Sequence, residues 1–330
     1  LSEAARGEGG YLLNGEGRRF MESYAPKLME LAPRDMVSRA MYQEIRAGRG
    51  IGGSDFVHLD VRHLGRTVIE QKLPDITDFA RVYQGVEPIS EPVPVQPTAH
   101  YAMGGVPTNL ETEVLANARG DVVPGLYAAG EVACVSVHGA NRLGTNSLVD
   151  LLVFGKRAGM RMAATCKATS QPSASPGAER AVRDELRALG ARPQGVRPAE
   201  IRRELASMMM DRVGVYRDEA LLSGAVSEIA RLRDAYARVR VEDTTSVFNT
   251  DLLEARELGY LLDVAEATAV SALARRESRG AHSREDFPER DDANFLAHTL
   301  VWRGEGGAPA SRIDYKPVTI TTFEPKPRVY

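Results

Sequence analysis

Apolar residues recur at helical spacing along most of the second half of the chain. The clearest stripe lies in 250–276 and consists of Leu252, Leu253, Leu258, Leu261, Leu262, Ala265 and Ala269. Such spacing is typical of a helix that buries one face. The segments 181–189, 199–213 and 218–239 are also predicted to be helical. The pattern therefore predicts a helical bundle that packs through its apolar stripes.

The first 90 residues predict shorter elements of both kinds. After a loop over 6–10, we expect a strand beginning at Tyr11, a hairpin that continues through 16–20, and a further strand at 56–59. We expect helices at 35–46, where Gly48 is the stop signal, at 66–73 and at 75–83. Helices and short strands in one stretch indicate a small α+β domain.

Two stretches have the composition of domain boundaries. The segment 87–97 contains Pro88, Pro92, Pro94 and Pro97. Interior helices and central strands do not tolerate proline at this density, so we expect an extended crossing segment and a hinge there. The segment 167–180 is rich in Ser, Pro and Ala and reads as a linker. In the tail, 281–330, a strand-like run is predicted at 318–323.

The stretch 121–155 has the order expected of a ligand-binding segment. A turn signal at Pro124-Gly125 precedes a short apolar run at 126–129, which reads as a strand, and Gly130-Glu131 follows it. A Gly-broken loop, 138–144, then leads to a helix start at 146–148 and an apolar segment long enough for a buried helix. An acid can accept hydrogen bonds from sugar hydroxyls, and a helix start offers N–H groups to ligand oxygens.

Composition excludes several classes of protein. The chain of 330 residues is 43% hydrophobic and 26% charged, which is ordinary for a soluble globular protein, and its net charge of −3 gives no sign of nucleic acid as a partner. Cys134 and Cys166 form no CxxC pattern and favour a reducing compartment. No apolar run approaches the roughly 20 residues that span a bilayer. The histidines are scattered, so no metal site is expected.

The motifs of 121–155 also resemble a known family. GLYAAGE followed by HGANRLGTNSLVDLLVFG is similar to the flavoprotein subunits of succinate dehydrogenase and fumarate reductase. The resemblance implies FAD as cofactor and an architecture of α/β and α type. Part of a flavin-binding α/β domain (97–166) would follow part of an inserted α+β capping domain (1–96). A linker (167–180), a helical bundle domain (181–280) and a tail (281–330) would complete the chain.

The resemblance also assigns catalytic roles near the start of the chain. Arg34 lies in a P-R-D segment whose arginine is the family's catalytic acid/base; by sequence alone it would be a surface arginine paired with an acid. The segment from Ser2 to Gly10 resembles T-E-G-C-R-G-E-G-G, in which Glu3 and Arg6 would relay protons and Ser2 would hold a substrate carboxylate. Without the resemblance, this segment reads as a Gly-rich turn with a solvated ion pair.

Further residues are assigned to substrate and cofactor in the same way. His100, in a segment similar to P-T-x-H-Y-x-M-G-G, and Arg142 would bind the carboxylates of a short diacid. Glu131 would bind the hydroxyls of the flavin, and Arg142, Ser147 and Leu148 would contact the flavin. No residue is assigned to a metal. His138 reads as a structural donor to a carbonyl.

The family implies that succinate loses a hydride to the flavin and that electrons pass to an iron–sulfur subunit and on to quinone. Membrane anchor subunits would hold the complex at the cytoplasmic face of the cell membrane. This chain would be roughly the second half of a longer polypeptide. Fumarate reductase, which runs the same chemistry backwards, and L-aspartate oxidase, which needs no iron–sulfur partner, stay open. A fourth alternative is a non-catalytic assembly piece that holds no flavin.

Overall fold

The computed structural model describes residues 3–173, 175–304 and 312–326. It mixes helices with small sheets and divides into two compact units, one ending at His100 and one beginning at Tyr101. In the described ranges, no helix is both long enough and apolar enough to cross a membrane.

The first unit contains an antiparallel sheet and short helices. The strands lie in the order β1 (Tyr11–Leu13), β2 (Val57–Asp60) and β3 (Val93–Val95). The helices are α1 (Glu3–Gly7), α2 (Met21–Tyr24), α3 (Arg34–Arg46), α4 (Arg66–Lys72) and α5 (Pro74–Phe79), which continues as a wider π turn, Ala80–Gln84. Pro94 lies in the edge strand β3, where a missing N–H is tolerated. Part of the proline-rich segment is thus extended, as expected, and forms an edge of the sheet.

The core of the first unit forms where α3 packs on the sheet. Leu12 of β1 and Val37 and Met41 of α3 are almost completely buried. The helix predicted at 35–46 is confirmed, and the hairpin predicted through 16–20 is present as a tight one, in which Arg19 pairs with Leu13 in antiparallel fashion. The Asn14 side-chain oxygen accepts the backbone N–H groups of residues 16 and 18, which makes a turn of this segment.

The second unit combines small sheets with long helices. Its strands are β4 (Val106–Pro107), β5 (Glu113–Leu115), β6 (Val122–Tyr127), β7 (Ala133–Cys134), β8 (Ala297–Trp302) and β9 (Arg312–Pro317). β4 pairs with β7 in parallel, whereas β5 pairs with β6 and β8 with β9 in antiparallel fashion. Its helices are α6 (Asn146–Ala168), α7 (Ala178–Gly190), α8 (Pro198–Val213), α9 (Glu219–Tyr236), α10 (Thr250–Ala274) and α11 (Asp292–Phe295).

Helices α7 to α10 match the predicted helical segments and share one apolar core. Leu222 and Ile229 of α9 pack with Leu258 and Leu262 of α10 in this core. The Asp218 side chain accepts the N–H of Leu221 and so fixes the start of α9. The apolar stripes therefore face one another as the pattern predicted.

Three local predictions in this unit are wrong. Pro124 and Gly125 lie inside β6, at an irregularity in its pairing with β5, because the extra residues bulge out of the ladder. Residues 318–323 form no strand, because the partner strand β8 begins opposite Pro317. Helix α6 is not buried, since Leu148, Leu152 and most apolar side chains of its first turns are exposed.

Candidate functional site

A cleft in the first unit brings together three of the residues assigned to catalysis. Arg34 is the first residue of α3, directly after Pro33, whose extended backbone ends the preceding segment. Its Nη2 lies 3.4 Å from Oε2 of Glu3 in α1, and both side chains are partly exposed. The cleft has a volume of about 330 Å³ and is lined by Glu3, Arg6, Gly7, Leu31, Ala32, Pro33 and Arg34.

Arg6 forms the buried wall of this cleft. Only 3% of its surface is exposed, and its Nη1 donates to the backbone oxygens of Glu30 and, at 2.9 Å, of Ala32. Burial lowers the pKa of Arg6 and the positive charge of Arg34 adds to this, while Glu3 opposes it. Its Nε is buried and has no hydrogen-bond partner within the described ranges. The Arg6 guanidinium is thus shielded from water. Residues 6 and 7, the start of the loop expected over 6–10, belong to helix α1.

The backbone that holds Arg6 is itself fixed by an ion pair. The buried Glu30 carboxylate accepts three charged hydrogen bonds from Arg19, of 2.6, 2.8 and 3.1 Å, and a backbone bond from Leu12. Burial alone would raise the pKa of Glu30, but these bonds outweigh it and the pKa lies below its ordinary value. Arg19 and Glu30 were not predicted from the sequence, since no motif distinguishes them from surface charges.

Arg34 does pair with an acid, as its sequence alone suggests, but that acid is Glu3. Asp35, the neighbour in the chain, instead forms a bond of 2.5 Å with Arg39 one turn along α3. Ser2 lies outside the described residues. His100 is the last residue of this unit, and its side chain is exposed.

In the second unit, Glu131 follows a tight bend. Gly130 has a φ of +79°, a conformation that residues other than glycine rarely adopt, and a Cβ at this position would also displace the Leu151 side chain of α6. The Glu131 carboxylate is exposed, and its Oε1 accepts the backbone N–H of Ala102 at 3.0 Å. The bend therefore presents an acid to solvent next to the start of α6.

The start of α6 is open to a ligand. Thr145 precedes it with a φ of +63°, and its hydroxyl bonds to the oxygen of Gly144 instead of capping the helix. Ser147 and Leu148 lie in the first turn, and Leu148 is exposed. The N–H groups of Asn146 and Leu148 already donate to the backbone oxygens of Leu143 and Thr145, which leaves the N–H of Ser147 as the candidate donor to an oxygen of another molecule.

Arg142 lies in the Gly-rich loop before α6. Its Cζ is 4.5 Å from the centroid of the Tyr101 ring, and its Nη1 donates to the backbone oxygen of Leu143 at 3.1 Å. Its Nε is buried and has no partner in the part of the chain that is described. A guanidinium in this state still has donors for an anionic group.

Three further polar residues cluster beside Arg142 and were not predicted as a group. Nε2 of His138 lies 3.2 Å from the Tyr101 hydroxyl and 3.2 Å from Oδ2 of Asp150, which α6 buries. His138 therefore contacts side chains and not the carbonyl that we expected. The sequence signal for this cluster was Asp150 inside the apolar run LVDLLVF, because a carboxylate that is buried in such a run needs polar partners.

The cysteines offer no metal site or nucleophile. Cys134 ends β7 and is partly buried, and burial raises the pKa of its thiol, which keeps it protonated at neutral pH. Cys166 is exposed on α6. Across the described ranges, no group of three or more His, Cys, Asp or Glu side chains is placed to hold a metal ion.

Comparison with known proteins identifies relatives over the whole chain. The FAD binding domain family matches residues 1–148, and the family described as fumarate reductase flavoprotein C-term matches 202–330. The chain is 44% identical to the fumarate reductase flavoprotein subunit of Haemophilus influenzae, covering 100% of this chain and 56% of the relative. It is also 44% identical to the succinate dehydrogenase flavoprotein subunit of Rickettsia bellii, covering 100% of this chain and 57% of the relative.

A solved structure is similar as well. Quinol fumarate reductase of Escherichia coli superposes with a TM-score of 0.88 at 42% identity, over 100% of this chain and 58% of that chain. This chain thus spans a little more than half the length of its relatives, and the match to the FAD binding domain indicates FAD as the cofactor. The chain belongs to the family of succinate dehydrogenase and fumarate reductase flavoprotein subunits.

Proposed function

We propose that the complete protein oxidises succinate to fumarate as the flavoprotein subunit of a respiratory complex. It would pass electrons to an iron–sulfur subunit and then to quinone, and membrane anchor subunits would hold it at the cytoplasmic face of the membrane. The observation that carries the proposal is the cleft in which Arg34 faces Glu3 beside the buried Arg6. A paired proton donor and acceptor next to a partly desolvated guanidinium suits proton exchange with a substrate carbon.

The residues of the second unit fit a flavin. The exposed carboxylate of Glu131, the N–H of Ser147 at the uncapped start of α6 and the unpartnered Nε of Arg142 offer the acceptor and donors that a flavin nucleotide needs. The exposed side chain of Leu148 offers an apolar contact beside them. We propose that these residues hold FAD. Bound FAD supplies the two-electron redox chemistry that no side chain of this protein can provide.

The exposed face of α6 supports a further proposal. Leu148, Val149, Leu152 and Val153 form a contiguous apolar surface on its first turns, and Leu152 is 75% exposed. Apolar surface of this kind marks a contact. We propose that residues 97–166 are one part of the flavin-binding domain, and that the remaining part of this domain covers the apolar surface in the complete protein. Residues 1–96 would belong to the capping domain.

In the proposed mechanism, Arg34 exchanges a proton with the substrate carbon. A guanidinium is normally protonated throughout, so a neighbour must take or return the proton without delay. Glu3 lies within reach of Arg34, and Arg6 has a lowered pKa and an unpartnered Nε. The three residues can therefore form a relay from the cleft to solvent, ending at the exposed Glu3.

Substrate binding would use groups that recognise carboxylates. Arg142 can make a bidentate pair with one carboxylate, and His100 and Ser2 would bind the other. Donors placed at both ends of a short diacid would hold its carbon–carbon bond in one orientation, which lowers the entropic cost of the reaction.

Fumarate reduction is the second candidate, because the relatives named for it match this chain as well as those named for succinate oxidation. The reaction is the same in reverse, and its direction depends on the partner and the quinone. The ratio of succinate oxidation to fumarate reduction in the purified complex would decide between the two. A larger rate of fumarate reduction would favour the second candidate.

The first experiment tests whether succinate reduces the bound flavin and whether this requires Arg34. The complete chain is expressed, loaded with FAD and mixed with succinate, and we expect the visible absorbance of the oxidised flavin to bleach. Arg34→Gln should retain flavin but lose bleaching. Arg39→Gln, on the same helix but paired with Asp35 away from the cleft, is the control and should bleach normally. Bleaching by aspartate alone would instead indicate the oxidase, and flavin-loaded protein that responds to neither compound would refute the proposal.

A further inference from the structure

The ring of Tyr101 fixes the position of the Arg142 guanidinium. The distance from Cζ of Arg142 to the ring centroid is 4.5 Å, which lies within the roughly 6 Å of a cation–π interaction. The guanidinium also donates to the backbone oxygen of Leu143, the next residue in the chain. Among the described residues, Tyr101 is therefore the side chain outside the loop 138–144 that determines where the charge lies.

Tyr101 is in turn held by a buried acid. Its hydroxyl lies 3.2 Å from Nε2 of His138, and the two rings meet edge to face at 87° with centroids 5.4 Å apart. The same Nε2 lies 3.2 Å from the Asp150 carboxylate, which is 6% exposed. Burial raises the pKa of Tyr101 and the charge of Asp150 adds to this, so the hydroxyl stays protonated. This chain of contacts connects helix α6 to the face of the ring.

The cluster retains unused hydrogen-bonding capacity. Nδ1 of His138, Oδ1 of Asp150 and Nε of Arg142 are all buried and unpartnered among the described residues. The Arg142 guanidinium thus contacts the Tyr101 ring but keeps a donor, Nε, without an acceptor among the described residues. A positioned guanidinium loses less side-chain freedom when an anion binds than a mobile one does.

We propose that Tyr101 is a positioning residue for Arg142, held by His138 and Asp150, and that it presets the guanidinium for a carboxylate. The inference rests on the proposed function, in which Arg142 binds one end of a short diacid. Tyr101 acts through Arg142 and not on the substrate. Its loss therefore weakens dicarboxylate binding, and this effect requires the guanidinium.

The test measures the dissociation constant of malonate, an unreactive short dicarboxylate, by titration calorimetry on the complete, flavin-loaded protein. Tyr101→Leu removes the ring and should raise the dissociation constant by about threefold to thirtyfold. Tyr101→Phe keeps the ring and should recover most of the lost affinity. The control is Tyr260→Leu, because Tyr260 makes a similar contact with Arg256, at 5.7 Å, on helix α10. This variant should bind malonate as the wild type does.

A double-mutant cycle isolates the coupling. In an Arg142→Gln background, Tyr101→Leu should change malonate affinity by less than about twofold, because the partner of the ring is gone. If Tyr101→Leu does not retain flavin, Tyr101→Met replaces it in the cycle, since this variant also removes the ring and keeps a long apolar side chain.

Three results would overturn the positioning role: unchanged affinity in Tyr101→Leu, an equal loss in the Arg142→Gln background, or an equal loss in Tyr260→Leu. Failure of the proposed function has a different signature. In that case the wild-type protein holds flavin but binds no malonate, and the variants have no affinity to lose.

Discussion

His282 should make the stability of the second unit depend on pH. Its Nε2 donates to the backbone oxygen of Arg275 at 3.0 Å, and its Nδ1 accepts from Nη1 of Arg217 at 2.7 Å. The bond from Arg217 requires the neutral ring, because a protonated Nδ1 cannot accept a hydrogen bond, whereas the bond to Arg275 is compatible with either form. Burial, aided by the charges of Arg217, Arg275 and Arg284, lowers the pKa of His282 to about 4. The perturbation is a change of pH from 7 to 5.

The sign follows from proton counting. An unfolded histidine titrates near pH 6.5, so between pH 6.5 and 4 the unfolded chain binds more protons than the folded one. The contribution of His282 to the free energy of unfolding is therefore complete above about pH 6.5 and is lost as the pH falls toward 4. With a folded pKa of about 4, the step from pH 7 to 5 lowers the free energy of unfolding by about 2 kcal/mol. For a domain of this size, the unfolding temperature should drop by roughly 4–8 °C.

The assay is thermal unfolding of the wild type and of His282→Gln across this pH range. Glutamine can donate to the Arg275 carbonyl and accept from Arg217, but it does not titrate. Other titrating groups are common to both proteins, so the difference between the two curves isolates His282. We expect the wild type to lose stability relative to the variant as the pH falls. A difference that stays flat between pH 7 and 5, or that grows in favour of the wild type, would refute the reasoning.

Two further substitutions test packing by denaturant unfolding. Gly280→Ala would place a Cβ 2.4 Å from the backbone oxygen of Ala140 at a φ of +59°, and should cost about 2–5 kcal/mol. Gly120→Ala, at a φ of +96° but in open space, should cost only about 1–2 kcal/mol, and equal losses would contradict the close contact. Leu262→Ala in the bundle core should cost about 2–5 kcal/mol. Leu261→Ala, at a 41% exposed position next to it, should cost less than about 1 kcal/mol, so similar losses would contradict the assigned core face.

The helical bundle could be predicted because helical periodicity is a local property of the sequence. Leu258 and Leu262 belong to the predicted stripe and are buried, whereas Leu253 and Leu261 belong to it and are exposed. The period thus identifies the helix, but the width of its buried face depends on the neighbours. The same limit explains α6, whose apolar run predicted burial although the described residues leave one face open.

The candidate site was predictable only in part. Glu3, Arg6 and Arg34 were named through the family resemblance, and they line one cleft. Sequence alone indicated a nearby acid as the partner of Arg34 but did not identify it as Glu3. The contact between Tyr101 and His138 joins residues far apart in the chain. Such contacts depend on loop backbone geometry, which hydrophobic patterns do not encode.

The way in which Arg6 is anchored has a consequence for sequence variation. Its guanidinium bonds to the main-chain oxygens of Glu30 and Ala32, which every amino acid possesses. The anchor therefore depends on side chains only through the backbone path between these two positions, which the ion pair of Glu30 with Arg19 helps to fix. Related chains can replace Ala32 with another small residue and leave Arg6 where it is, whereas a change in the length of this segment would displace Arg6 and Arg34 together.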